Sequence, residues 1–254
     1  MRVPTIGLAL GLVIAASPAA ALVNGGFEAA PPLAGWTVFP ATGVNPIRAT
    51  AEAAGFGITP TEGRLQGVIE TSDIDGRTAA EVETFFGLAP GAITGFGQAS
   101  PRGIAISQTV TVNAGDRLLG DINFLTNELV QGDPGYTTDP AFDDFAVLIA
   151  DGAANILADV NLPGFFTSGA LLRGGNPVTN VTKETGYQPL SYTFTGSGPQ
   201  TIGFAVFNVS DISAQSALAM DDLRVAPIPL PASALPAIAG LGALVALGRA
   251  RRGG

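Results

Sequence analysis

The 254-residue chain contains no cysteine and no histidine. Without histidine there is no Ser-His-Asp triad and no imidazole ligand for a metal, and without cysteine there is no thiol nucleophile. Disulfides are excluded too, so stability outside the cytoplasm must come from packing, with a metal ion as the one further staple. Charged residues are sparse at 13%, aromatics make up 7%, and Trp36 is the single tryptophan. No glycine-rich run stands between a strand and a helix, as phosphate cradling requires; Gly174-Gly175 reads as a turn. A glycosidase would need two carboxylates at a defined separation, and no motif marks such a pair. The chain is therefore expected to be non-catalytic.

What is present begins with two unusual ends. Met1-Arg2 is a short basic start, residues 3–16 are largely apolar, and Ser17-Pro18-Ala19-Ala20-Ala21 supplies a turn and an A-x-A site. This pattern reads as a signal peptide cleaved after Ala21, with an uncleaved N-terminal anchor as the alternative. At the other end come a proline-spaced tetrad (Pro229, Leu230, Pro231, Ala232), an uncharged apolar run from Ala232 to Leu247, and a basic terminus of Arg249, Arg251 and Arg252. Proline keeps the tetrad extended and accessible. The apolar run satisfies its backbone in lipid as a helix, and the arginines hold its end on the cytoplasmic side. As a helix the run would be about 24 Å long against a hydrocarbon core of about 30 Å, which makes it weak as a permanent span. A buried C-terminal helix is the alternative, but the run has no polar face.

The terminal segment resembles the C-terminal sorting signal of the PEP-CTERM class, in the variant headed by Val-Pro-Leu-Pro-Ala. Here the tetrad is preceded by Ile228 in place of valine, and Leu230 occupies the position of the glutamate that names the class. The resemblance covers about the last 28 residues. It implies processing by an exosortase, a membrane-embedded protease-transpeptidase, in a Gram-negative bacterium that makes exopolysaccharide. The chain would then be a substrate of that enzyme, anchored in the inner membrane before processing and delivered to the cell envelope, surface or matrix.

The expected organisation is a signal peptide (1–21), one body (22–226) and the sorting signal (227–254). Setting aside Arg2, Arg249, Arg251 and Arg252 leaves 8 of the 12 basic residues against all 21 acids, a charge of −13 on the body. Such a surface repels nucleic acid and anionic headgroups, and it tolerates calcium and neutral glycans.

Within the body, period-2 patterns mark short strands. A first strand is expected around Phe27 and Glu28, a second from Gly35 to Phe39, and another at 64–70. Residues 79–86 have helical spacing, with Ala79, Val82, Phe85 and Phe86 inward and Glu81 and Glu83 outward. Residues 103–112 and 117–127, joined by a turn at 113–116, read as a long hairpin. Strands follow at 142–150 and 155–160, then a second hairpin from 186–194 and 201–209, and a last strand at 217–225. Many short strands with regular turns predict an all-β antiparallel sandwich.

Asn24-Gly25-Gly26-Phe27-Glu28, Gly35-Trp36 and Met220-Asp221-Asp222-Leu223-Arg224-Val225 together resemble jelly-roll carbohydrate-binding modules of the galactose-binding-like type. That resemblance implies a structural calcium tying the first strand to the last, with Glu28 and Asp221 or Asp222 as ligands. A hard cation held by carboxylates remote in sequence would staple a disulfide-free domain; solvated strand ends are the alternative. A second acidic set, Asn127, Glu128, Asp133, Asp139, Asp143 and Asp144, surrounds a turn-rich excursion and reads chiefly as a solvated loop. Trp36 is expected as a core plug rather than a sugar platform, and Tyr136, Tyr187 and Tyr192 are further stacking candidates. The Asn180-Val181-Thr182 and Asn208-Val209-Ser210 triplets are read as chance.

The expectation is an exported, non-catalytic protein of the surface or matrix, associated with extracellular polysaccharide and binding glycan. A matrix protein without a specific ligand is the alternative.

Overall fold

The computed structural model describes residues 22–39, 47–50, 58–71, 76–94, 101–129, 134–135, 144–160, 183–209 and 216–228. The expected signal peptide, the sorting tetrad from Pro229 to Ala232 and the terminal arginines lie outside them. So do Asp133, Tyr136, Asp139, Asp143, Gly174-Gly175 and the Asn180 triplet.

The body is an antiparallel β-sandwich. One sheet, A, is built from β1 (Thr37–Phe39), β5 (Arg102–Val112), β11 (Gly198–Asn208), β7 (Phe145–Ala150) and β8 (Ala153–Asp159), in that order, with β4 (Arg77–Thr78) beside β5. The other, B, runs β10 (Gln188–Thr193), β6 (Arg117–Thr126), β12 (Ser216–Ala226), β3 (Gln66–Glu70) and β2 (Ile47–Thr50), with β9 (Lys183–Glu184) beside β6.

Alternation in the sequence decides which side chains meet between the sheets. From β5 come Ile104, Ile106, Val110 and Val112, from β11 Ile202, Phe204 and Val206, and from β6 Leu118, Ile122 and Phe124. Each large apolar side chain buried there is worth about 1.5–3 kcal/mol. Trp36 belongs to this core: it stacks on Phe27 at 5.7 Å, and its indole N–H donates to the Asn24 carbonyl at 3.1 Å.

Two expected hairpins are absent. β5 and β6 lie in different sheets, and so do β10 and β11. Each turn is an arch that carries the chain across the sandwich, and the arches stand side by side. Gly115 donates to the Phe194 carbonyl at 2.6 Å, and Phe194 donates to the Asp116 carbonyl at 2.8 Å. A turn signal reports that the chain reverses; it carries no information on whether the next strand pairs with its predecessor or faces it. Packing decides that, because an arch buries both inward rows of side chains against each other.

The strand expected at Phe27 is also absent. Residues 23–26 form a turn, with Asn24 at φ 55° and Phe27 at φ 57°. The Asn24 side chain accepts from Ala29 N–H at 2.9 Å and donates to Pro32 O at 2.7 Å, offering the backbone an alternative to a ladder.

The helix α1 (Ala79–Phe86) forms as expected. A Thr78–Glu81 capping box starts it, and Gly87 in the left-handed region ends it. It lies on the outer face of sheet A, where Ala79, Val82 and Phe86 pack with Phe145, Val147 and Phe207. Glu83, expected outward, is 3% exposed. Its carboxylate accepts from the N–H groups of Gly91, Ile93 and Thr94 at 3.1, 2.7 and 2.9 Å. Burial raises its pKa, but these donors outweigh burial and hold it below the ordinary carboxylate value.

Candidate functional site

Two groups of polar residues lie on or beside sheet B. The first joins the N-terminal turn to the last strand. The Gly25 carbonyl accepts from Leu223 N–H at 3.1 Å, and a Cβ at Gly25 would stand 1.7 Å from the Leu223 carbonyl oxygen. Only glycine permits that approach. It occurs where β12 loses register between Asp221 and Arg224, with Asp222 at φ 48°.

The acids expected to bind calcium gather around the loop 61–65. Glu28 Oε1 accepts from the N–H groups of Arg64 and Leu65, the latter at 2.6 Å. Those two donors hold the Glu28 carboxyl below its ordinary value. From the other side, Asp221 Oδ2 accepts from Thr61 N–H at 2.7 Å, Thr61 Oγ1 at 3.1 Å and Glu62 N–H at 2.9 Å. Glu28 and Asp221, remote in sequence, thus grip one loop. Asp222 does not join them: its carboxylate pairs with Arg224 and lies beside Glu62, whose pKa it raises. Among the described residues no three acidic side chains stand together as ligands of one metal ion. Carboxylate oxygens are the ligand type a hard cation takes, but Glu28 Oε1 and both Asp221 oxygens already accept from N–H and O–H donors. Burial pushes Asp221 up in spite of its donors.

The second group occupies the outer face of sheet B. Alternation sends Gln66 and Val68 of β3, Ala217 and Ala219 of β12, and Asn123 and Leu125 of β6 away from the inter-sheet core. Tyr187 lies across this face, packed on Ile58, Val68, Leu125, Ala217 and Ala219. Its hydroxyl donates to the Gln66 side-chain oxygen. Beside it Asn123 Nδ2 donates to Glu184 Oε2 at 2.6 Å, and Thr185 Oγ1 donates to Asn123 Oδ1 at 3.3 Å. Gln188 Nε2 donates to the Thr185 carbonyl at 3.0 Å. Burial raises the Tyr187 pKa, and the charges of Asp221, Asp121 and Glu184 add to the rise, so the hydroxyl stays protonated and able to donate. Gln66, Asn123 and Thr185 are buried beneath this face, so of this group the half-buried Tyr187 and Glu184 and the exposed Gln188 reach the solvent.

The remaining candidates fall elsewhere. Trp36 is a core residue, which removes it as a sugar platform. Tyr192 is half-buried at the arch end, with its ring edge-on to Phe194 and its hydroxyl donating to Asp151 at 3.0 Å. Burial, then Asp151, pushes its pKa up to about 12. Of the second acidic set, Asn127, Glu128 and Asp144 are described, and the solvated-loop reading fails for two of them. Asp144 is fully buried, accepting from Val209 N–H at 2.9 Å and Ser216 Oγ at 2.6 Å, and Glu128 is 6% exposed. Asn208 is buried in β11, so its triplet offers no accessible acceptor. Gln66 and Asn123 carried a signal in the sequence: polar residues at the outward positions of otherwise apolar strands.

No family model matches the chain, and no curated protein matches it in sequence. Solved structures are similar in fold. TmCBM61, solved in complex with beta-1,4-galactotriose, is 12% identical with a TM-score of 0.38, covering 80% of this chain and 95% of its own. A family 16 carbohydrate binding module is 15% identical with a TM-score of 0.31, covering 80% and 96%. The K3 cleaved adhesin domain of Lys-gingipain from Porphyromonas gingivalis w83 is 11% identical with a TM-score of 0.38, covering 76% and 92%. At these identities and TM-scores the likeness carries no argument about this chain, and the sandwich rests on its own strand pairing.

Proposed function

We propose that the protein is an exported, non-catalytic glycan-binding β-sandwich that is sorted by an exosortase and associates with extracellular polysaccharide. The observation that carries the glycan reading is Tyr187, half-buried on the apolar strip of sheet B, with Glu184 and Gln188 open to solvent nearby and the buried Gln66 holding its hydroxyl. Sugars offer apolar C–H faces for an aromatic ring and hydroxyls for amides and carboxylates. The sorting reading rests on the sequence of the tail. No helix among the described residues is long and apolar enough to cross a membrane, and the tail lies outside them.

A glycan array probed with the mature body tests the function. Saturable binding to one sugar class, lost in a Tyr187→Ala variant that is destabilised but still folded at the assay temperature by circular dichroism, supports the proposal. Silence across the array returns the protein to the reading of a matrix component without a specific ligand. Intact mass of the protein from its native cells tests the sorting: cleavage after Ala21 and loss of residues beyond the tetrad are expected.

Calcium belongs to the same proposal, held by Glu28 and Asp221 and supplying charge neutralisation at the loop 61–65. A rise in thermal midpoint with calcium, reversed by a chelator and absent in Asp221→Asn, is expected. Indifference of the wild-type midpoint to both additions removes calcium from the account.

A further inference from the structure

We infer that, before its tail is processed, the folded body stands against the membrane surface on the end formed by the two arches, residues 113–116 and 194–198. This rests on reading residues 229–254 as a membrane-inserted sorting signal. The described chain leaves the body at that end. β12 finishes beside the start of β6, with Ala226 paired to Arg117, and Ile228 N–H donates to Asp116 Oδ1 at 3.3 Å. The Ile228 side chain lies on Gly115, where a Cβ would stand 2.1 Å from its Cδ1. Only Pro229, Leu230 and Pro231 then separate Ile228 from the apolar run that begins at Ala232. From Ile228 to Ala232 is four residue steps, at most about 14 Å even fully extended. The headgroup layer on one side of a bilayer takes up roughly 5–8 Å of that distance. The arch end is therefore held within about 10 Å of the headgroups.

The charge distribution agrees. An anionic headgroup surface repels a strongly acidic body unless the facing end hides its acids. At the arch end Asp116 is 2% exposed and accepts from Asn113 N–H at 2.8 Å as well as from Ile228. Asp151 takes donors from Tyr192, Thr195 and Gly196, and these outweigh burial to hold its pKa below the ordinary value. The exposed residues Ala114, Thr195 and Ser197 are neutral, and Arg117 adds a positive charge. Glu128 and Asp144, the described acids beside the far ends of β6 and β7, stand at the opposite end. The Tyr187 face, on the flank between the two ends, stays open while the chain is anchored.

The absence of cysteine makes the test direct. Single-cysteine chains Ala114→Cys, Ser197→Cys and Leu129→Cys, each full length, are labelled with a fluorophore and reconstituted into phosphatidylcholine–phosphatidylglycerol vesicles carrying a headgroup quencher. Quenching several-fold stronger at 114 and 197 than at 129 is expected, falling when a flexible Gly-Ser spacer is inserted after Ile228. Equal quenching at the three positions, or stronger quenching at 129, overturns the orientation while leaving the tail reading intact. Failure of the chains to join the vesicles overturns the tail reading, and the orientation with it.

Discussion

The outer faces of the two sheets are built to opposite ends. Sheet A is sealed by α1, with Val82 and Phe86 pressed onto Phe145, Val147 and Phe207, and the helix's buried acid, Glu83, is consumed in capping the loop 91–94. Sheet B carries a thin apolar strip overlaid by Tyr187, and its amides and carboxylates bond to one another across strands. The first arrangement is dominated by buried apolar area, with one described cleft beside the helix, lined by Phe39, Ala80, Glu81, Thr84 and Phe85. The second gives up area for buried polar groups that pair with one another beneath Tyr187, fixing that ring in place. Stability is expected to concentrate on sheet A and recognition on sheet B.

The largest effect should come from sheet A. Phe86→Ala removes a ring seated over Gly203 and should cost about 3–5 kcal/mol, read by urea unfolding, with no change in glycan specificity among folded molecules. A cost below about 1 kcal/mol would mean that the helix is dispensable to the sheet. Glu83→Ala should come next, at about 2–3 kcal/mol, because it strands the buried Ile93 N–H and loses the part-buried bonds from Gly91 and Thr94.

The two sheets should also part company in acid. Glu83 has a lowered folded pKa, so its contribution is fully present above the ordinary glutamate value of about 4.3 and is lost as pH falls through the lowered value. Asp221, raised by burial, has the opposite sign: the cost of keeping it charged disappears as pH falls through its raised value. Midpoints measured from neutral pH downward should therefore fall less steeply in Glu83→Gln than in wild type, and more steeply in Asp221→Asn. Identical profiles for the two variants would erase the contrast.

The smallest effect on stability should be that of Tyr187→Phe, which removes one hydroxyl bonded to Gln66 and should cost about 0.5–1.5 kcal/mol. Glycan retention should nonetheless weaken, and Tyr187→Ala should abolish it. Unchanged retention in both would move recognition off sheet B.

Much of the fold was legible. The 104–112 alternation, the 79–86 helix and the last strand all stand where period and caps put them, because each is set by local patterning of apolar residues. Glu83 was misread because a helical wheel sorts by polarity and sends acids outward; it has no way to register three unpaired N–H groups arriving from 91–94. Of the site, the resemblance of the ends named Glu28, Asp221 and Asp222 as calcium ligands; the fold brings Glu28 and Asp221 to the loop 61–65 and sets Asp222 on Arg224, and calcium itself stays a proposal. Gln66 and Asn123 were passed over, since a polar residue on a strand ordinarily marks the solvent side.

By itself the sequence determined the strands, their inward faces and the absence of thiol and imidazole chemistry, because these follow from side-chain type and from a period of two. Only the tertiary structure decided which strands became neighbours. The turns at 113–116 and 194–198 close equally well as hairpins or as arches. The arches prevail because they set Leu118, Ile122 and Phe124 opposite Ile104, Ile106 and Phe204, completing one dry core that neither hairpin could enclose alone.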